Sequence, residues 1–296
     1  MGGVKGFLGK MPFGKLIKRI YLALPGRYSS PFPSLRELKR QKNDTSSSIP
    51  EEIPGVDLNV EEQLRTFERL KEFYPSLPFA DLKTEELRYY YLNDMFSYSD
   101  AITLFCMIRY LQPKTIIEIG SGFSSCLILD TNEKFFGSSI SCTFIDPYPK
   151  RLLSNVKQTD LGRIHLRSNR LQEIELDFFS TLEERDILFL DSTHVSKFNS
   201  DVNYFFFQIL PRLRKGVFIQ IHDVMYPFDY PKEWIREGRT YNEAYLLRAF
   251  LEYNRGFRIV YFNTYLTHFY RDNFQRDMPL CLKNTGGSIW LEKVGS

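Results

Sequence analysis

This chain has few cysteines, a small net charge and no long apolar run, and each of these features excludes a class of protein. The 296 residues include four cysteines with no CxxC pair, which indicates buried thiols in a reducing compartment. A net charge of +3 is too small to indicate a nucleic-acid partner. No apolar run reaches the roughly 18 residues of a membrane span, and residues 20–24 are too short for a signal-peptide core. We therefore expect a soluble cytoplasmic protein.

The N-terminal region is strongly biased in charge. Residues 1–36 contain seven Lys or Arg and no acid. One helical face of this region is apolar: Leu16, Ile17, Ile20 and Leu24. The pattern predicts either a basic amphipathic helix that makes weak peripheral membrane contact through residues 1–28, or a plain terminal arm. The polar, proline-punctuated stretch at 40–57 then indicates a linker.

The spacing of apolar residues changes near residue 113, and the pattern beyond that point predicts an α/β domain. Short β-rich apolar runs recur at 115–119, 141–145, 163–166, 186–190, 217–221, 258–262 and 288–291. Stretches of helical character lie between or before them, at 124–132, 204–213, 242–253, within 60–75 and at 100–111. This alternation favours an open, mostly parallel sheet that is covered on both faces. We predict a basic arm and linker at 1–58, accessory helices or a lid at 59–112, and the main domain at 113–296.

The end of the first strand carries a glycine-rich turn. The segment "EIGSGFSS" contains Gly120 and Gly122, and glycines permit a tight turn and close approach of the backbone to a ligand. The helix that follows would direct its N–H groups and positive dipole end at a carboxylate or phosphate. Ser124 or Ser125 is placed to cap this helix through its hydroxyl.

The second strand ends in Asp146, 28 residues after Glu118. An acid at this place accepts hydrogen bonds from the hydroxyls of a ribose, although Asp before Pro147 also initiates turns. Together with the glycine turn, Asp146 predicts a nucleoside site. The third glycine of the dinucleotide fingerprint is missing, but a nicotinamide-dependent oxidoreductase remains an alternative.

Five segments together resemble one family: "EIGSGFSS", "FIDPYP", "DILFLDSTH", "GVFIQIHDV" and "GGSIWLEKV". They are similar to class I S-adenosylmethionine-dependent methyltransferases, and most similar to the small-molecule O-methyltransferase branch. The resemblance covers about residues 90–296. It implies a Rossmann-like, seven-stranded, mostly parallel sheet with helices on both faces. We also expect an N-terminal helical extension before the sheet. A late β-hairpin, formed by residues 257–265 and 287–294, would supply the last pair of strands.

The resemblance also implies which residues bind the cofactor. Glu118 would fix its ammonium group, Asp146 its ribose, and the turn its methionyl part. Asn169, beside Ser168 and Leu171, would contact the adenine, although this segment lacks the acid that the family usually has there. The implied S-adenosylmethionine-binding residues are Glu118, Gly120, Ser121, Gly122, Phe123, Ser124, Ser125, Asp146 and Asn169.

The ends of the next two strands carry side chains suited to proton transfer or metal binding. "FLDSTH" contains Asp191 and His194, and "IQIHD" contains His222 and Asp223. An alcohol nucleophile loses its proton to a general base or to a metal. Both interpretations stay open: Asp191, His194 and His222 as the catalytic set, with either histidine as base, or Asp191, His222 and Asp223 as ligands of a divalent cation such as Mg²⁺. The resemblance implies acids at all three metal positions, and His222 departs from that pattern.

An aromatic loop follows the fifth strand, with Tyr226, Phe228, Tyr230 and Trp234 close together. These rings either line a pocket for a ring-shaped or sugar-like acceptor or anchor the loop to the body of the domain. We therefore predict an enzyme that transfers a methyl group from S-adenosylmethionine to a hydroxyl of a small-molecule or glycan-like acceptor. The non-enzymatic alternative is a methyltransferase-like binding module.

Overall fold

The computed structural model describes residues 17, 20–28, 30–40 and 48–295, and these contain one central β-sheet. The strands are β1 (Thr115–Ile119), β2 (Ser141–Ile145), β3 (His165–Arg167), β4 (Ile187–Leu190), β5 (Phe218–His222), β6 (Phe257–Phe262) and β7 (Ser288–Lys293). The α-helices are α1 (Leu35–Arg40), α2 (Val60–Leu70), α3 (Tyr98–Leu111), α4 (Phe123–Phe136), α5 (Lys150–Leu153), α6 (Leu176–Phe179), α7 (Asp201–Tyr204), α8 (Lys232–Arg236), α9 (Glu243–Leu251), α10 (Asn263–Phe269) and α11 (Arg271–Asp277). Short 3₁₀ turns cover Tyr74–Ser76, Gln158–Asp160, Leu171–Glu173, Leu210–Arg212 and Pro279–Leu282, and a π-helical turn covers Phe205–Ile209.

The sheet has seven strands in the order β3-β2-β1-β4-β5-β7-β6. β7 is antiparallel to β5 and β6, and the other neighbouring pairs are parallel. The predicted Rossmann-like, mostly parallel sheet with flanking helices and an N-terminal helical extension is confirmed. β4 is buried along its whole length, as expected of a strand covered on both faces. Because the strand order reverses between β1 and β4, the ligand crevice of this fold lies beyond their carboxyl ends.

The last two strands do not form the predicted hairpin. β6 ends at Phe262, and α10, α11 and a 3₁₀ turn lie between it and β7. Residues 263–265, predicted as strand, form the first turn of α10 instead. β6 and β7 still pair side by side, with an irregular register between Ile259 and Tyr261. Short-range patterns identified both strands but not the helices inserted between them.

The predicted helix at 204–213 is divided into three parts. Asp201–Tyr204 is α-helical, Phe205–Ile209 is a π-helical turn, and Leu210–Arg212 is a 3₁₀ turn. Pro211 lies in the last part, where its missing N–H and its ring prevent a continuous α-helical hydrogen-bond ladder.

Packing divides the described residues into two compact units. One contains the described residues up to Pro50 together with Tyr230–Tyr241, and in it α1 packs on α8. The other contains Glu51–Asp229 and the chain from Asn242 onward, with the sheet and every predicted site residue. In this second unit α2 packs on β6 and α3 packs on α4. The segment boundaries predicted after residues 58 and 112 stay predictions.

Only part of the predicted N-terminal amphipathic helix falls within the described residues. Residues 20–23 are helical, and Ile20 and Leu24 are exposed. Leu16 and the rest of residues 1–16 lie outside the described residues. Within the described ranges, no helix combines the length and the apolar character needed to cross a membrane. All four cysteines are buried and unpaired.

Candidate active site

The glycine turn after β1 is required by a close approach of the chain after β4. Gly120 has a φ of +86°, in the region that side-chain-bearing residues rarely adopt. A Cβ atom at residue 120 would lie 1.7 Å from the carbonyl oxygen of Asp191. The Asp191 N–H in turn donates to the carbonyl of Ile119 over 2.8 Å. The turn therefore brings the end of β1 against the first residue beyond β4.

Glu118 is fully buried beneath this turn and is held by two serines. Its carboxylate accepts hydrogen bonds from the hydroxyls of Ser124 and Ser125, the latter over 2.5 Å. Burial raises the pKa of Glu118 to about 8, although both serine hydrogen bonds oppose the shift. Ser125 also accepts a hydrogen bond from the N–H of Gly122 over 3.0 Å, so it caps α4 from within the first turn. Gly122, rather than a serine, is the N-cap residue.

Asp146 lies beside the turn at the end of β2. Its Oδ2 accepts hydrogen bonds from the Ser121 hydroxyl over 2.7 Å and from the Ser121 N–H over 3.2 Å. Its Oδ1 accepts the Tyr148 N–H over 2.7 Å, which is the turn-forming contact expected of Asp before proline. Asp146 therefore links the turn after β1, through Ser121, to the turn after β2, through Tyr148. Asn169 is exposed beyond β3, where its side-chain nitrogen lies 3.4 Å from Glu173 Oε2.

The ends of β4 and β5 bring two imidazoles and two carboxylates together. Nε2 of His194 lies 3.3 Å from Asp191 Oδ1 and 3.5 Å from Asp223 Oδ2. Nδ1 of His222 lies 3.4 Å from Asp191 Oδ1 and 3.5 Å from Asp223 Oδ1. Both histidines are buried, whereas the Asp191 side chain is 33% exposed. We call these four residues the His/Asp cluster, and its carboxylates form its solvent-facing side.

Two further carboxylates lie behind the imidazoles, and the sequence patterns assigned neither of them to the site. Glu243, the first residue of α9, has its Oε2 2.9 Å from His194 Nδ1. Asp100, in the first turn of α3, has its Oδ2 3.3 Å from His222 Nε2. Asp100 also accepts hydrogen bonds from the Gly287 N–H and the Ser288 hydroxyl, so it connects α3 to the start of β7. No local motif marks Glu243, which lies 49 residues from its histidine.

The charges of the His/Asp cluster are strongly coupled. Burial favours the neutral ring of His194, but contacts with Asp191 and Glu243 outweigh burial and raise its pKa well above 6.5. Burial likewise opposes the charged ring of His222, and Asp191 and Asp223 raise its pKa well above 6.5. Burial alone would raise the pKa of Asp191, yet the two imidazoles hold it below its usual range. The pKa of Asp223 is raised by burial against the opposing effect of the histidines.

Residues 88–97, which we call the cover segment, pack against both the turn and the cluster. The Tyr90 ring packs edge-on against Phe123, with ring centroids 5.5 Å apart. The Phe96 ring lies 5.2 Å from the His222 ring. The segment is attached to α4 because the N–H groups of Arg88 and Tyr89 both donate to Asp130 Oδ2. This arrangement shields the buried edge of the cluster from water.

The aromatic loop after β5 is anchored rather than open. Tyr226 packs against Phe262 and Tyr265, and Phe228 packs against Phe262. Both rings are buried, at 8% and 1% exposure. In the other compact unit, Tyr230 and Trp234 stack on each other. The anchoring interpretation therefore accounts for Tyr226 and Phe228.

Comparison with known proteins gives the chain a family. Residues 117–224 match the family model described as "Methyltransferase domain", a segment that contains the glycine turn, Asp146 and the His/Asp cluster. An uncharacterized protein from Archaeoglobus fulgidus is 36% identical over 174 residues, which are 55% of this chain and 75% of that protein.

Solved structures of similar chains are more distant. The O-methyltransferase TomG from Streptomyces achromogenes, involved in tomaymycin synthesis and solved with S-adenosylmethionine, is 15% identical, with a TM-score of 0.42 over 87% of this chain and 96% of its own. Cofactor-bound Rv0187 from MTB is 13% identical, with a TM-score of 0.45 over 89% and 99% of the two chains. Apo CmcI-N160 is 19% identical, with a TM-score of 0.40 over 67% and 72%. These scores are too low to transfer a substrate or a catalytic residue.

The matched domain spans β1 to the residues just beyond β5, which is the part of the sheet that carries the turn and the cluster. The relative from Archaeoglobus fulgidus extends the similarity over more than half of the chain. With the seven-stranded sheet order and the glycine turn, the chain belongs to the S-adenosylmethionine-dependent methyltransferases.

Proposed function

We propose that this methyltransferase methylates a hydroxyl group of a small-molecule or sugar-like acceptor. One observation carries the proposal: two buried imidazoles, each with a carboxylate behind it, face Asp191 and Asp223 at the strand ends beside the glycine turn. A hydroxyl is a weak nucleophile until a base takes its proton, and histidine is the usual base for such a task. The nicotinamide alternative loses its support because the chain is a methyltransferase.

Different residues would bind the different parts of the cofactor. The turn from Gly120 to Ser124 would hold the methionyl part, Asp146 the ribose, and Asn169 the adenine. Glu118, buried below the turn, would become ionised against the ammonium group. The Ser121 hydroxyl donates a hydrogen bond to Asp146 Oδ2. When the cofactor binds, Asp146 would exchange this hydrogen bond for one from a ribose hydroxyl. When bound, S-adenosylmethionine supplies an electrophilic methyl group for in-line displacement.

The side chains of the cluster would prepare the acceptor. Because the neighbouring carboxylates raise the pKa of both rings, the imidazole that acts as base first loses its own proton to solvent. In that neutral form His194 or His222 takes the hydroxyl proton as the acceptor oxygen bonds to the methyl carbon and the carbon–sulfur bond breaks. The proton stays on the imidazole, where Asp191 stabilises the resulting cation. General-base catalysis of this kind contributes about 10²–10⁴-fold in rate. Orientation of the two reactants contributes further, since well-aligned reactants gain several kcal/mol.

The divalent-cation hypothesis for Asp191, His222 and Asp223 stays a prediction. Among the described residues His222 Nδ1 has no hydrogen-bond partner, although two carboxylate oxygens lie 3.4 Å and 3.5 Å from it. Imidazole nitrogen suits softer ions better than Mg²⁺. As the side chains stand, the described part of the chain contains no group of three or more His, Cys, Asp or Glu that could hold a metal ion.

Methyl-donor turnover with catechol, a methyl glycoside and a glycolipid as acceptors tests the proposal. We expect mass spectrometry to show a methyl ether on at least one of them. Binding of S-adenosylhomocysteine with no methylated hydroxyl on any acceptor would overturn the proposal. The same reactions with and without EDTA test the cation: an unchanged rate supports transfer by side chains alone, and a loss restored by added metal supports the cation.

A binding module without catalysis would behave differently in variants of the cluster. Asp191→Ala and Asp223→Ala each remove one of the two carboxylates on the solvent-facing side of the His/Asp cluster. We expect both variants to lose turnover and to keep the wild-type circular dichroism spectrum. Turnover that is unchanged in both would contradict a role for the cluster in the reaction.

Weak membrane contact through residues 1–28 is a separate prediction. Most of these residues lie outside the described part, and the basic, apolar pattern of the sequence is its support. Sedimentation with anionic liposomes should retain more full-length protein than a variant lacking the first 30 residues. Equal partitioning of the two proteins would refute this contact.

A further inference from the structure

Glu243 is a buried acid that lies behind His194, on the side of the ring away from Asp191 and Asp223. Its side chain is 1% exposed, and its Oε2 lies 2.9 Å from Nδ1 of His194. Its other oxygen, Oε1, has no hydrogen-bond partner among the described residues. A buried carboxylate with one imidazole as its hydrogen-bond partner is costly to keep unless that contact has a use.

The backbone around Glu243 holds the same histidine. The carbonyl oxygen of His194 accepts the N–H groups of Asn242 and Glu243 over 3.0 Å and 3.3 Å. Asn242 also binds Ser196 in both directions, through its Oδ1 and its Nδ2. The N-terminal end of α9 therefore fixes both the main chain and the ring of His194. His194 itself has a φ of +57°, a conformation that persists only where its surroundings enforce it.

This contact orients the two ring nitrogens differently. Nδ1 lies 2.9 Å from Glu243, whereas Nε2 lies 3.3 Å from Asp191 and 3.5 Å from Asp223 on the solvent-facing side. Nδ1 has the shorter contact, so it is the nitrogen better placed to keep the proton when the ring is neutral. A carboxylate behind one nitrogen sets both the orientation and the tautomer of the ring, and it stabilises the cation formed when the other nitrogen takes a proton. His222 has its Nε2 turned to Asp100, which is tied into β7 by further hydrogen bonds.

We infer that Glu243 is the positioning residue of the reaction, holding His194 with Nδ1 protonated so that Nε2 accepts the proton of the acceptor hydroxyl. His194, rather than His222, is then the base. This inference rests on the proposed function and adds a residue to it. Glu243 acts only through His194 and does not touch the acceptor.

Nuclear magnetic resonance of protein labelled with ¹⁵N in the histidine rings tests the contact without an acceptor. The sample is the full chain with S-adenosylhomocysteine, and His194→Gln assigns the signals. We expect a slowly exchanging His194 Nδ1–H proton that is lost in Glu243→Ala and kept in Asp100→Ala, the matched truncation behind the other histidine. A signal that persists in Glu243→Ala, or one that is absent from the wild type, overturns the inference.

Turnover then tests the consequence. With whichever of the three probe acceptors the wild type methylates, Glu243→Ala should lower kcat about 100-fold, with KM for the donor changed by about twofold at most. Glu243→Gln keeps an oxygen that accepts the Nδ1–H, so it should recover about tenfold of that loss. A smaller loss in Glu243→Gln than in Asp100→Asn would assign the base to His222 and overturn the inference. If the wild type methylates no probe, the proposed function fails, while the resonance experiment still decides the Glu243 contact.

Discussion

At the level of single residues, Gly120 is the described glycine at which an added Cβ would make the closest contact. Alanine there combines a positive φ with a Cβ that would lie 1.7 Å from a backbone oxygen, which cannot move without shifting the end of β4. We expect Gly120→Ala to lower the free energy of unfolding by about 3 kcal/mol or more and to abolish binding of S-adenosylhomocysteine. Urea denaturation and calorimetry measure the two effects.

Gly137→Ala is the matched control for this glycine. Gly137 ends α4 with a φ of +57°, and a Cβ there would have no atom within 4 Å. Its replacement by alanine should cost about 1–2 kcal/mol, from conformation alone. If the two variants were equally stable, the close approach to Asp191 would not be what requires Gly120.

The raised pKa of Glu118 predicts that cofactor binding is coupled to the release of a proton. Its folded pKa of about 8 lies above the ordinary 4.5, so the carboxyl is mostly neutral at pH 7 in the absence of cofactor. The ammonium group of S-adenosylmethionine favours the ionised form, and binding at pH 7 should therefore release up to one proton. Affinity should rise as the pH approaches about 8 and change little above it. Calorimetry in buffers of different ionisation enthalpy measures the protons released.

5′-Methylthioadenosine is the control ligand, because it lacks the amino-acid part and should release no proton through Glu118. Glu118→Gln should remove the proton release with the full cofactor. Proton release that is the same for both ligands would show that another group titrates.

At the scale of elements, a buried ion-pair network attaches the cover segment to α4. The Arg88 guanidinium binds Asp130 over 2.6 Å and Asp160 over 2.5 Å, and also reaches Glu133. Burial disfavours this charge, but the three acids outweigh burial and raise the pKa of Arg88. Arg88→Met would leave the buried Asp130 without its ion-pair partner, at a cost of about 3–5 kcal/mol. Urea denaturation measures the loss.

Arg258→Met provides the comparison on the surface. Arg258 pairs with Glu292 over 2.6 Å, but its side chain is 44% exposed and both partners keep access to water. Its loss should cost about 1 kcal/mol or less. If Arg88→Met were as mild, the acids around it would have to be neutral in the folded protein.

At the scale of the whole molecule, the four cysteines report on global unfolding. All of them are buried, and burial raises the pKa of Cys106, Cys126 and Cys281, which keeps the reactive thiolate scarce. Ellman's reagent should label the native protein slowly and all four thiols quickly in guanidinium chloride. The labelling midpoint should match that of circular dichroism. Rapid labelling of one thiol in the native protein would reveal local opening near it.

Elements that depend on residues close together in the chain were predicted better than elements that depend on distant residues. β1 and β2 were predicted with the bounds that the structure shows, because each is a short apolar run between turn residues. The helices between β6 and β7 were missed, since no glycine or proline follows Phe262 to mark the end of the strand, and residues 263–266 include Thr and Tyr, which are also common in strands. The convergence of Asp191, His194, His222 and Asp223 was predictable because ends of adjacent parallel strands meet at one edge.

The alternation of strands and helices and the glycine turn follow from local sequence, because they depend on residues a few positions apart. Which acids lie behind the imidazoles depends instead on the three-dimensional packing of the chain. Glu243 and Asp100 are 49 and 122 residues from their histidines and come from helices outside the strand-end motifs. Such contacts arise from how α3 and α9 pack on the sheet, and packing of distant elements leaves no periodic mark in the chain.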